Sequence, residues 1–148
     1  MPATEFPVSS LSPQDALVAI MVAVSASDEN ISSRELLSIG RIIEALPVFE
    51  GFDRDSLPRI SQTVFDLFED EDGLEAFFGL VRDALPTALR ETAYALACDV
   101  AAADGYAFQA ELRFLEELRY ELDLDRLHAA AIERGSAARH RRVTPLEP

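Results

Sequence analysis

Two pairs of acidic residues with the same spacing are the main chemical feature of this sequence. Asp28 is followed by Glu35, and Asp104 by Glu111, so each pair spans a short predicted turn with six residues between the acids. In each pair the Asp ends one predicted helix and the Glu lies in the first turn of the next. A connection this short brings the two carboxylates onto neighbouring surfaces. Carboxylate oxygens bind hard cations, so the spacing predicts a site for Ca²⁺, Mg²⁺ or Mn²⁺ at these four residues.

The second pair resembles half of an EF-hand calcium loop. Asp104, Gly105 and Glu111 fit loop positions five, six and twelve. Positions one and three would then be Val100 and Ala102, which have no side-chain oxygen. A calcium loop of the EF-hand type is therefore not predicted.

Helix capping explains some of the same acids without any ligand. Ser32 and Glu35 have the spacing of a capping box. Asp104-Gly105 is typical of a helix end, where glycine adopts the left-handed conformation. On this interpretation the acids only stabilise helix ends and turns, and they bind no ligand.

Two observations favour a function beside the capping interpretation, and both interpretations stay open. Phe108 stands where the first copy has Ser32, so Glu111 has no serine with which to form a capping box. Asp28 and Asp104 lie near helix C-termini, where the macrodipole disfavours an anion by about 0.3–1 kcal/mol. Asp104 and Glu111 are therefore the better candidates, and we expect the first pair to be largely structural.

Asp99 is a fifth candidate ligand. At 100° per residue it lies at the edge of the stripe formed by Thr92, Leu96 and Val100, and close to Asp104 in the chain. A half-buried carboxylate needs either an arginine or a metal ion as its partner. Its counterpart in the first copy is Ala23, so a site that included Asp99 would be asymmetric.

Seven helices are predicted to position these acids. Ser12 is the expected N-cap of the first, with Pro13 in its first turn. Bulky core residues are expected from the third and fourth helices, including Phe65 and Leu74. The predicted helices span about 13–27, 32–46, 53–68, 73–85, 86–103, 108–122 and 124–134.

An internal duplication follows from sliding the sequence by 76 residues. Residues 15–46 then fall on 91–122, and both acidic pairs coincide. Apolar matches alone are weak evidence of a repeat, because any two amphipathic helices share them. Matched acids in the same register are harder to obtain by chance. The prediction is an all-α bundle in which a helix–loop–helix unit is repeated about a pseudo-two-fold axis.

The charge of the chain is strongly negative and unevenly distributed. Of the net −14, residues 1–133 contribute 26 acids against 9 arginines, or −17, and residues 134–148 contribute 4 arginines against one Glu, or +3. Such a body repels nucleic acid and attracts cations or a basic protein partner. We expect an N-terminal arm over 1–11, a helical domain over 12–134 and a basic, disordered tail over 135–148.

Other features indicate no enzyme and no membrane protein. Cys98 is the only cysteine, which favours a core residue in a cytoplasmic protein. His128 and His140 are isolated, so neither a zinc site nor a catalytic triad is predicted. The apolar run 16–26 is about half the length that spans a bilayer. The oligomeric state is not predicted.

Both junctions resemble the signature of the tellurite-resistance protein B-like (TerB-like) family, "A-x-D-G-x-[I/V]-x-x-x-E". The matching segments are Ala26–Glu35, read as ASDENISSRE, and Ala102–Glu111, read as AADGYAFQAE. The first has Glu29 in place of the glycine, and the second has Ala107 in place of Ile or Val. The resemblance covers about residues 12–125.

This resemblance implies a compact seven-helix domain with an acidic face, proposed to bind metal ions. The family is linked to tellurite and chemical-stress responses, often as an accessory domain without catalysis. By position, Asp28, Glu35, Asp104 and Glu111 carry over as its acidic signature, together with Asp99.

Overall fold

The computed structural model describes residues 11–26, 33–103 and 109–144, with the side chains of all of these except 33–35 and 109–110. These ranges contain seven α-helices and no strand, which confirms the predicted all-α bundle. No helix in these ranges is long and apolar enough to cross a membrane. The helices are α1 Pro13–Ala26, α2 Ser33–Ala45, α3 Leu57–Phe68, α4 Gly73–Ala84, α5 Arg90–Ala101, α6 Gln109–Glu121 and α7 Arg126–Arg139.

Helix α1 begins at the predicted N-cap, Ser12, which forms a capping box with Asp15. The Asp15 backbone N–H donates to Ser12 Oγ at 3.0 Å, and the Ser12 N–H donates to Asp15 Oδ2 at 3.3 Å. The exchange satisfies two backbone donors that the first turn leaves without intrahelical partners. This start also fixes the direction in which α1 enters the bundle.

Helix α1 is the centre of the bundle. Every residue from Ala16 to Ser25 is buried, and the helix contacts α2, α3, α4, α5 and α6. A helix that is apolar all round is stable only when other elements cover all of its faces. Helix α5 packs along α1 and is covered on its other side by α7.

Aromatic side chains fill the space between α3, α4 and α6. Phe77 makes edge-to-face contacts with Phe68 and Phe78, and the ring of Phe78 stacks on that of Phe114 at a centroid distance of 5.6 Å. The expectation that Phe65 and Leu74 join this core is wrong, because both side chains are exposed. Each lies one position outside the face that its helix turns inward.

Gly73 makes the sharp passage from α3 into α4 possible. A Cβ atom at this position would lie 1.7 Å from the carbonyl oxygen of Leu67. No side chain fits there, since the contact is with backbone. The glycine thus lets α4 start directly against the end of α3.

Helix α7 extends beyond the predicted start of the disordered tail. It continues through Gly135 to Arg139, and Ser136 is buried against the bundle. The residues after Gly135 pack on α5 and retain the helix. The tail prediction is therefore wrong for residues 135–139.

The helix boundaries agree with the repeat register. Shifting α2, Ser33–Ala45, by 76 residues gives the bounds of α6, Gln109–Glu121. The same shift places α1 over α5 and Val24 over Val100, both fully buried. Glu35 and Glu111 are consequently both the third residue of their helices.

Candidate functional site

The structure describes the five predicted ligands to different extents. Asp28 and Asp104 lie outside the described residues, as do the rest of segments 27–32 and 104–108. Glu35 lies within α2, but its side chain is outside the described part. Asp99 and Glu111 are described completely.

Glu111 is the buried acid of the second junction. Its relative exposure is 0%, although it lies in the first turn of α6 beside a turn. Removing an ionised carboxylate from water is expensive unless other groups interact with it. The positive end of the helix dipole contributes favourably at this position, within the first turn of α6.

Asp99 forms an ion pair with Arg139. Arg139 Nη2 donates to Asp99 Oδ1 at 2.6 Å, and the Asp99 side chain keeps 21% of its exposure. This is the arginine partner that the sequence left open as the alternative to a metal. Arg139 comes from the part of α7 that was predicted to be disordered, so its identity was not predictable from the helix pattern.

The described residues hold no group of three or more His, Cys, Asp or Glu side chains arranged to bind a metal ion. A site built from the acidic pairs would include residues of the segments 27–32 and 104–108, which lie outside the described part. His128 Nδ1 lies 2.8 Å from Glu91 Oε2 at the surface, and His140 Nδ1 lies 2.9 Å from the Ser136 carbonyl. Neither histidine contacts the other.

Cys98 is a buried core residue. Burial raises the pKa of its thiol to about 12, so the thiol stays protonated at neutral pH. Since the thiolate is the nucleophile, the structure agrees with the predicted structural role.

Three polar residues near Cys98 were missed by the sequence analysis. The Tyr94 hydroxyl donates to Glu133 Oε2 at 2.5 Å, and Arg119 Nη1 donates to the same oxygen at 3.3 Å. Burial, together with this hydrogen bond, raises the pKa of Tyr94 above its ordinary value. The partners are 39 and 14 residues apart in the chain, so no local spacing signals them.

A basic depression adjoins the second junction. The depression has a volume of about 490 Å³. It is lined by Arg41 of α2, by Ala103, and by His140 and Arg142 beyond α7. Ala103 immediately precedes Asp104 in the chain. Part of the Arg-rich segment thus lies against the body near the acidic turn.

Comparison with known proteins is consistent with this architecture. The family model described as tellurite resistance protein TerB matches residues 14–134, which include α1 to α6 and most of α7. No curated protein and no solved structure matches the chain. The match covers most of the sequence, and the chain therefore belongs to the TerB family.

Proposed function

We propose that this TerB-family domain is a non-catalytic module that binds Ca²⁺, Mg²⁺ or Mn²⁺ weakly at its second acidic junction, in a tellurite or chemical-stress response. The observation that supports this most strongly is the complete burial of Glu111 in the first turn of α6. An acid placed there, in register with Glu35 of the other copy, is more than a solvated surface charge.

The proposed ligand set is centred on Asp104 and Glu111. Asp28 and Glu35 occupy the equivalent positions of the first copy, and they complete the site if the two turns approach each other. Asp99 is the least suitable of the five candidate ligands, because its carboxylate already accepts a hydrogen bond from Arg139. Two or three carboxylates with water ligands give the modest affinity expected of a partly hydrated Mg²⁺ or Ca²⁺.

Calorimetric titration of the full chain with Ca²⁺, Mg²⁺, Mn²⁺ and Zn²⁺ tests the proposal. We expect a dissociation constant of about 0.1–1 mM for at least one of the first three ions. Asp104→Asn should weaken that binding at least about tenfold. Asp70→Asn, in the exposed acidic stretch 69–72, is the matched control and should leave the affinity unchanged. No binding at millimolar metal, or equal losses in both variants, would refute the cation site.

A second candidate function is docking of a basic protein partner by the acidic face, without metal. Its support is the pair of leucines that follow the junction glutamates: Leu36 is 51% exposed and Leu112 is 43% exposed. An exposed apolar side chain with acids beside it offers a partner an apolar contact within a polar rim. A partner recovered from the protein's own lysate, and released as salt is raised, would favour this function. A cytoplasmic location remains part of the proposal.

A further inference from the structure

A groove of about 450 Å³ lies between α5, α6 and α7, and the proposed cation site does not account for it. Its walls are largely apolar, with Leu112 and Leu115 contributed by α6 and Ala137 by α7. A volume of this size is typical of small-molecule sites, which combine apolar walls with a few converging polar groups. The polar groups of this groove come from all three helices.

One side of the groove is held rigid by polar contacts. Tyr94 and Arg119 both donate to Glu133 Oε2, so the three side chains fix one another across α5, α6 and α7. The two hydrogen bonds satisfy the charged Oε2 of Glu133. They shape the wall and leave the recognition of a ligand to other residues.

Ser136 is the first residue that we assign to ligand recognition. It is 3% exposed, it lines the groove, and its Oγ has no hydrogen-bond partner. Buried hydroxyls in native proteins are nearly always paired, because leaving one unpaired is unfavourable. The buried Ser25 follows that rule, since its Oγ donates to the Met21 carbonyl at 3.3 Å. A ligand in the groove would give Ser136 the partner that it lacks.

Glu116 places a negative charge at the edge of the groove. It borders the groove from the exposed side of α6 and forms no ion pair with any described residue. Arg119, the cation of the same groove, is already paired with Glu133. The chain carries a net charge of −14, although Ser136 and Ala137 themselves belong to its basic segment 134–148. An anionic ligand is therefore repelled, and a cationic one is attracted.

We propose that this groove binds a small amphiphilic amine. The apolar part of the ligand lies along Leu112, Leu115 and Ala137, and its ammonium group donates hydrogen bonds to the Glu116 carboxylate and to Ser136 Oγ. An ammonium group has three donors and no acceptor, which suits a carboxylate and a hydroxyl oxygen together.

Calorimetry with three probes that share one eight-carbon chain tests the chemistry: octylamine, octan-1-ol and octanoate, in metal-free buffer at pH 7. Octylamine should bind the full chain with one-to-one stoichiometry, and octanoate should bind at least about tenfold more weakly. Methylamine, which has the head group alone, should show no binding. Equal affinity for octylamine and octanoate would overturn the proposal, as would the absence of octylamine binding.

Two pairs of matched variants locate the site. Ala137→Trp fills the groove and should abolish octylamine binding, whereas Ala138→Trp, next to it on the exposed side of α7, should not. Glu116→Gln should weaken octylamine about tenfold without affecting octan-1-ol, and Glu117→Gln should change neither. Retained binding in Ala137→Trp would place the ligand elsewhere and refute the assignment.

Discussion

In the α1–α2 copy the first helix is buried on every side, whereas in the α5–α6 copy the first helix carries polar side chains along the face that α7 covers. Residues Ala16–Ser25 of α1 have no exposed member. On α5, by contrast, Glu91, Tyr94 and Asp99 contact partners on α7, namely His128, Glu133 and Arg139. The same repeated unit has thus become an apolar centre in one copy and a polar, partly accessible framework in the other.

The second helices of the two copies differ in the same direction. Helix α2 turns Ile39 and Ile43 into the core, whereas α6 buries Phe114, Leu118 and an acid, Glu111. The most completely buried helix, α1, belongs to the first copy, and both binding sites that we propose lie in the second.

The largest predicted effect is at Leu17, a fully buried residue of α1. Leu17→Ala should lower the free energy of unfolding by about 3 kcal/mol, because the closely covered helix cannot collapse around the cavity. Its repeat equivalent is Ala93, and Ala93→Leu should also destabilise, by about 1–3 kcal/mol, through overpacking. Leu37→Ala, at an exposed position of α2, is the control in a urea titration. A loss at Leu17 no larger than at Leu37 would contradict the central position of α1.

A smaller effect is expected at Tyr94, whose repeat equivalent is Val18. Tyr94→Phe removes the hydrogen bond to Glu133 and should lower the free energy of unfolding by about 1 kcal/mol. Because the pKa of Tyr94 is raised in the folded protein, its stabilisation is complete below the ordinary tyrosine value of 10.0 and is lost as the pH rises above it. Tyr120→Phe, at an exposed site, should have no effect. If both variants behave alike, the polar contacts of α5 are not structural.

The two buried serines give a finer comparison. Ser136→Ala removes a hydroxyl without a partner, and Ser25→Ala removes one that is bonded to Met21. The gain in helix propensity is common to both, so the difference between their unfolding free energies reports on the hydroxyls. We expect Ser136→Ala to be the more stable variant by about 1 kcal/mol. The reverse order would mean that Ser136 already has a partner in solution.

The smallest effect is expected at Asp99. Arg139, its partner, is 57% exposed, so Asp99→Asn should change the free energy of unfolding by no more than about 0.5 kcal/mol. Cation affinity should also stay within about twofold of wild type, in contrast to Asp104→Asn. A loss of cation binding as large as that of Asp104→Asn would make Asp99 a ligand and break the assignment of the site to the turn.

The sequence predicted local features well, because they depend on neighbours in the chain. The N-cap at Ser12 follows from its immediate neighbours in the chain. The common placement of Glu35 and Glu111 follows from the 76-residue repeat. The buried Val24 and Val100 follow from the repeat register in the same way.

Features that depend on contacts between distant helices were not predictable. The continuation of α7 past Gly135 depends on packing against α5, which overrides the weak helix propensity of glycine. The exposure of Phe65 and Leu74 is set by which face each helix turns inward. The Arg139 partner of Asp99 and the groove at Ser136 arise only once α5, α6 and α7 come together.

Anomalous diffraction from a crystal soaked in Mn²⁺ tests the central claim, that binding belongs to the second copy. We expect a manganese peak within coordination distance of the Asp104 and Glu111 carboxylates. A peak confined to Asp28 and Glu35, a peak on the exposed acidic stretch 69–72, or no peak at either junction would contradict it.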